Sequence, residues 1–116
     1  MPESILVVED DVQLAAELAE RLGELGYAVI GPAPTIAEAE CLIAMTCPNA
    51  ALLDGNVAGL SSASLARKLA SLGVPLAFCT GDDKIKGLST ELAKAPVLTK
   101  PVSDATLAAT LRALLT

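Results

Sequence analysis

Histidine and tryptophan are absent from the 116 residues, and the aromatics amount to Tyr27 and Phe78. Without imidazole there is no Ser-His or Cys-His catalysis, no histidine metal site and no histidine phospho-donor within the chain. So few rings also argue against nucleic-acid modules that stack bases on exposed aromatics. Positive charge is short as well: eight Lys and Arg against fourteen Asp and Glu give a net charge of −6. Six of the eight (Arg21, Arg67, Lys68, Lys84, Lys86 and Arg112) are scattered with no basic stripe. An acidic chain is repelled by phosphate backbones and anionic lipids, so neither nucleic acid nor a membrane is expected as a partner. No apolar run reaches the length of a membrane span and no signal peptide is present, which reads as a cytoplasmic protein. Cys41, Cys47 and Cys79 are odd in number and lack CxxC spacing. Each is expected to be a free thiol behaving as a small buried apolar residue.

What is present is aliphatic. Hydrophobic residues make up 53% of the chain, enough for a globular core built from Ala, Leu, Ile and Val. The length suits one domain, residues 1–116. Four short apolar runs end in the same manner. Ile5-Leu6-Val7-Val8 stops at Glu9-Asp10-Asp11, and Ala50-Ala51-Leu52-Leu53 stops at Asp54-Gly55-Asn56. Leu76-Ala77-Phe78-Cys79 stops at Thr80-Gly81, and Val97-Leu98-Thr99 stops at Lys100-Pro101. Such runs read as buried strands.

Between them lie helical spacings. Leu14, Leu18, Leu22 and Leu25 form a stripe after a cap at Asp10 or Asp11, with Gly23 or Gly26 as the stop. Tyr27-Ala28-Val29-Ile30 is a further strand, closed by Gly31-Pro32-Ala33-Pro34. Thr35 and Glu38 make a capping box for a helix to about Met45, with Ile36, Ala39, Leu42 and Ile43 inward. Ser61 or Ser62 starts a helix through Leu72 with Leu65, Ala66 and Leu69 inward, ended by Gly73. Ile85, Leu88 and Leu92 predict a short or mobile fourth helix, weakened by Gly87. Ser103 or Asp104 caps a last helix with Leu107, Leu111 and Leu114 on one face. Strands alternating with helices predict an α/β fold, a flavodoxin-like (βα)5 doubly wound parallel sheet with strand order 2-1-3-4-5. In such a sheet the carboxyl ends of the strands share one edge, where ligands bind. Glu9, Asp10, Asp54, Thr80 and Lys100 are therefore expected to meet.

Asp54 is a candidate nucleophile, since a carboxylate can accept a phosphoryl group as an acyl phosphate. Three acids alone would repel one another: two like charges about 4 Å apart cost ~1 kcal/mol in water and ~4 kcal/mol at an effective dielectric of 20. A hard divalent cation resolves this, and Mg2+ suits carboxylates, a backbone carbonyl and waters. Asp10 and Asp54 can ligate directly, with the Asn56 carbonyl as a third ligand and Glu9 acting through water. Lys100 supplies a second positive charge, and the Thr80 hydroxyl can donate to phosphoryl oxygens. Each part has a plain alternative: an acid at a strand-to-turn junction, a Thr-Gly turn, a solvated lysine before a rigid turn. Their joint occurrence at four strand ends favours the site.

With these residues in view, the chain resembles, over its whole length, the receiver domain of two-component response regulators. The resemblance rests on Ile5-Leu6-Val7-Val8-Glu9-Asp10-Asp11, Leu52-Leu53-Asp54, Thr80-Gly81 and Lys100-Pro101. It implies phosphorylation of Asp54 by a histidine kinase or a phosphotransfer protein, and Mg2+ at Glu9, Asp10, Asp54 and the Asn56 carbonyl. It implies that Thr80 and Lys100 bind the phosphoryl oxygens, and that the Lys100-Pro101 bond is cis. It also implies a phospho-acceptor rather than a turnover enzyme, with autodephosphorylation as its own hydrolytic step.

Departures from the family pattern matter. The usual aromatic switch position, three residues before the lysine, is Val97, so the usual threonine–aromatic coupling is not available. Ala58 stands where a proline is common. The segments ending Thr80-Gly81 and Lys100-Pro101 are similar to the FATGUY sub-family, with its Pro-Phe-x-Phe-Ala-Thr-Gly-Tyr pattern. Cys79 replaces the alanine and Asp82 the tyrosine. That sub-family lacks the switch aromatic and is linked to kinases of the HWE and related types. Asp82 and Asp83 add negative charge beside the site. No output domain is expected, so the signal would leave by protein contact or onward phosphotransfer, with residues 82–95 as the segment that responds. Met1 and the neat ends favour a complete protein; the alternatives are a receiver excised from a hybrid kinase and a phosphorylation-independent adaptor. A small Mg2+-dependent phosphatase is disfavoured, because Asn56 stands where a general acid would be needed. The cognate kinase and downstream partner are not legible.

Overall fold

Alternation builds the sheet, as the computed structural model makes plain; it describes residues 2–80 and 95–116, with the Thr80 side chain excepted. Five parallel strands, β1 (Ser4–Val8), β2 (Ala28–Ala33), β3 (Ala50–Leu53), β6 (Leu76–Thr80) and β7 (Val97–Thr99), form one sheet. Its order is β2-β1-β3-β6-β7. Counting only these five strands, this is the expected 2-1-3-4-5 order. A small antiparallel pair, β4 (Asn56–Val57) and β5 (Leu60–Ser61), lies between β3 and the third helix and was not foreseen. The helices are α1 (Val12–Glu24), α2 (Ile36–Met45), α3 (Ala63–Ser71) and α4 (Asp104–Leu115). None among the described residues is long and apolar enough to cross a membrane. The expected helix within residues 82–95, with Asp82 and Asp83, falls on 81–94, outside the described residues.

Because successive side chains on a strand point to opposite faces, each strand feeds two cores. Ile5 and Val7, Ala50 and Leu52, Ala77 and Cys79, and Leu98 pack with Leu22 of α1 and with Leu107 and Leu111 of α4. Leu6 and Val8, Ala51 and Leu53, and Leu76 and Phe78 pack with Ala39 and Ile43 of α2 and with Leu65, Ala66 and Leu69 of α3. Among the described residues the result is three layers, with α1 and α4 on one face and α2 and α3 on the other.

Local chemistry explains the helix ends. The Asp11 carboxylate accepts from the Gln13 and Leu14 amides, so Asp11 is the cap of α1 and Asp10 is left for other work. Gly26, at φ +96°, follows the C-terminus in the left-handed region that glycine tolerates. Thr35 accepts from the Glu38 amide at the start of α2, and Ser103 accepts from the Thr106 amide at the start of α4.

Several expectations need correction. The α1 stripe is only partly buried: Leu22 is covered and Leu18 half-buried, while Leu14 and Leu25 are exposed and Ala15 takes an inward place. The second strand does not close at Gly31-Pro32 but runs through them to Ala33. A register irregularity, φ +93° at Gly31 and a cis Gly31-Pro32 bond carry it, and Val8 then pairs with Ala33. A side chain at Gly31 would meet the Ala33 nitrogen at 2.7 Å, which explains the glycine. Of the three cysteines, Cys79 alone is buried; Cys41 and Cys47 are exposed. Cys41 lies on an exposed part of α2 and Cys47 just past its C-cap, Thr46.

Candidate functional site

The same alternation that buries Ile5 and Val7 carries on to Glu9, and that of Ala50 and Leu52 carries on to Asp54. In β7 the step from Leu98 leads to Lys100. Three charged residues therefore extend one apolar face past its last layer. The Lys100 ammonium donates to Glu9 Oε1 at 3.0 Å and Oε2 at 3.1 Å, and to Asp54 Oδ2 at 3.1 Å. The two carboxylates come from adjacent central strands, paired through Val8 and Leu53. The lysine arrives from the edge of the sheet, 91 positions from Glu9 in sequence. It precedes a cis bond to Pro101, as the resemblance implied.

Asp10 completes an acidic cluster. One carboxylate oxygen from each of Glu9, Asp10 and Asp54 lies within 4.8 Å of the others. Asp10 is exposed and its Oδ2 accepts from the Ala58 amide at 2.9 Å, tying the β4–β5 turn to the acidic loop. Ala58 sits at φ +52°, the left-handed region, so the turn that offers this amide is a strained one. The Asn56 amide donates to Asp54 Oδ1 at 3.3 Å. The three oxygens are hard donors at close range, the type of set that a small divalent cation takes. By this chemistry the residues fit Mg2+.

Burial sets the protonation of the trio. Burial, and then the hydrogen bond shared with Asp54, push the Glu9 carboxyl up to about 7 against the pull of Lys100. For Asp54 burial also acts upward, but bonds from Glu9, Lys100 and the Asn56 amide outweigh it and hold the carboxyl below 3.8. Burial would lower the Lys100 ammonium, yet two carboxylate partners raise it above 10.5. Of the two carboxyls, Asp54 is thus the one its partners hold toward the ionised form. Asp54 is the group able to attack an electrophile.

A cavity of about 270 Å3 opens beside the trio on the α1 and α4 face. Its apolar wall includes Leu18, Leu52 and Val102; Arg21 and Cys79 also line it. Burial pushes the Cys79 thiol up, which disfavours its thiolate at this wall.

The structure brings Glu9, Asp10, Asp54, Asn56 and Lys100 together, as expected. Thr80 ends β6 opposite Thr99, one strand from Asp54; its hydroxyl lies outside the described atoms. Val97 lies in β7 opposite Phe78, 39% exposed. Sequence reasoning missed Arg21, which it placed among scattered surface charges. The signal was available: Arg21 falls at i+3 from Leu18 and beside Leu22, a cation at the edge of an otherwise apolar stripe.

No protein-family model and no curated protein matches the chain. Solved structures do. The chain is 31% identical to SdrG from Sphingomonas melonis Fr1, covering 99% of this chain and 98% of that one, with a TM-score of 0.83. A structure of SdrG from Pseudomonas melonis Fr1 in its BeF3-activated conformation is 32% identical over 97% and 96% of the two chains, TM-score 0.79. The signal receiver domain of a modulated diguanylate cyclase from Desulfovibrio desulfuricans G20 is 28% identical over 99% and 94%, TM-score 0.88.

Proposed function

Because this chain belongs to the response regulator receiver family, we propose that Asp54 accepts a phosphoryl group and that the phosphorylated chain passes the signal on by protein contact or onward phosphotransfer. The observation that carries this reading is the Lys100 ammonium bonded to Glu9 and Asp54 at the edge where the acidic cluster gathers.

The chain's own residues divide the work. An Asp54 carboxylate oxygen attacks phosphorus while the bond to the donor breaks. Asp54 is suited to this, because its partners keep it ionised. The donor is a phosphohistidine of a histidine kinase or a phosphotransfer protein, since these 116 residues hold no histidine. Lys100 shifts from its carboxylate partners to the incoming phosphoryl oxygens, with Thr80 as a further donor. Mg2+ held by Glu9, Asp10, Asp54 and the Asn56 carbonyl would neutralise the charge that gathers there. Autodephosphorylation returns the chain to its starting state, so the domain is a switch and not a turnover enzyme. SdrG takes a BeF3-activated conformation, which makes BeF3 a sensible probe for this chain too.

Intact-mass spectrometry after incubation with acetyl phosphate and Mg2+ tests the reading. The wild type gains one phosphoryl mass, Asp54→Asn gains none, and withholding Mg2+ removes the gain. A wild type that binds Mg2+ yet gains no mass from acetyl phosphate or a phosphorylated kinase would overturn it. Val97 in place of a switch aromatic favours a second reading, an adaptor whose partner binding ignores phosphorylation. Equal partner affinity for wild type and Asp54→Asn, with and without donor, would select it.

A further inference from the structure

Lys100 needs more than its own strand to hold it. β7 has three residues and stands at the edge of the sheet, bonded on one side to β6. After Thr99 the chain leaves the sheet, and the helix α4 does not begin until Asp104. Pro101 has no N–H with which to tie this connection down.

Arg21 supplies the tie. Its Nη2 donates to the Val102 carbonyl at 2.5 Å and its Nε to Asp104 Oδ1 at 2.6 Å. Val102 lies two residues beyond Lys100, and Asp104 opens α4. Among the described residues, these are the side-chain bonds that fasten residues 101–104 to another element. The post is rigid: Arg21 adjoins Leu22, which is fully buried in the α1 and α4 core. Asp104 is largely exposed, so that ion pair by itself contributes little. The part-buried bond to the Val102 carbonyl is the one that locates the backbone. Through α1, the element that follows the acidic loop also holds the lysine turn.

We infer that Arg21 is a positioning residue that places Lys100 for its encounter with Asp54 and the phosphoryl group. The inference rests on the reading of Asp54 and Lys100 given above. It goes beyond that reading because Arg21 need not touch the reacting atoms. A planar two-armed guanidinium is required, since lysine keeps the charge but cannot serve both acceptors in the same geometry.

Two measurements test it, at a temperature where all variants are folded. In the protein without metal or donor, the Lys100 ammonium held by two carboxylates gives its own proton–nitrogen NMR signal, assigned by its loss in Lys100→Met. Arg21→Ala and Arg21→Lys lose or broaden that signal, while amides of the buried strands keep their shifts. With acetyl phosphate and Mg2+, both variants are phosphorylated about 10- to 100-fold more slowly, the scale set by small misplacement of a reacting group. Arg21→Lys regains the melting temperature without regaining the rate. An intact Lys100 signal and a rate within about twofold of wild type in Arg21→Ala would overturn the inference. Full recovery of both by Arg21→Lys would overturn it too, leaving charge at the helix end as the role. A wild type that shows the Lys100 behaviour but takes no phosphoryl group would sink the phospho-acceptor reading and leave the clamp standing.

Discussion

The two faces of the sheet are built alike and finish differently. On the α2 and α3 face, Leu6 and Val8 in β1 and Ala51 and Leu53 in β3 stay apolar to the carboxyl ends of their strands, Leu76 and Phe78 pack beside them, and Val57 is fully buried there. On the α1 and α4 face the same alternation runs out into Glu9, Asp54 and Lys100, with a cavity beside them. One face is used for stability. The other gives up its last apolar layer to two carboxyls joined by one ammonium and to a space that something else can enter. A site in an α/β sheet can thus be made by extending a core ladder by one residue in each of three strands.

The contrast is open to attack from either side. The largest effect belongs to the sealed face: Phe78→Ala, at a fully buried ring, removes about 3–5 kcal/mol of stability in denaturant unfolding. Phosphoryl acceptance per folded molecule stays near wild type. A lost rate in the folded fraction would show that the faces are not separable. Lys100→Met reverses the pattern, abolishing measurable acceptance while costing about 1–3 kcal/mol, the scale of a hydrogen bond to a charged group. Stability loss as large as that of Phe78→Ala would mean that the trio is structural first.

The smallest effect is a slope with pH. Glu9 is raised from 4.5 to about 7, so the folded chain holds a proton that the unfolded chain has released across that interval. This contribution is full below 4.5 and is lost as pH rises through 7. Asp54 acts oppositely, but its window lies below 3.8, and Lys100 acts above 10.5. Between pH 5 and 7.5 the metal-free melting temperature should therefore fall with pH, and Glu9→Gln should flatten the trend. A wild-type melting temperature that does not fall with pH would show that neither carboxyl retains the proton, and an undiminished fall in Glu9→Gln would place it on Asp54. Because the proton and a cation compete for the same oxygens, Mg2+ affinity should grow up to about pH 7 and then level off.

Much of this was legible in the chain itself. Glu9, Asp54 and Lys100 stand at the ends of apolar runs, and the alternation of strands and helices dictates that such ends meet. Asp10 and Asp11 were harder to tell apart, since both are acids at a helix start. The backbone decides between them by directing the Asp11 carboxylate back to the Gln13 and Leu14 amides and the Asp10 carboxylate toward Ala58. The passage of β2 through Gly31 and Pro32 was hidden, because both residues ordinarily mark the end of a strand.

The order of apolar and polar residues determined the fold, the face each strand residue takes and the identity of the acids and the lysine. Those properties follow from local periodicity and from burial, which act along the chain. Which acid carries the proton, which cation meets which carboxylate, and that Arg21 grips the turn after Lys100 were decided by the tertiary structure. Each depends on distances of about 3 Å, the reach of a hydrogen bond, between residues far apart in sequence. Only packing of the helices on the sheet sets those distances.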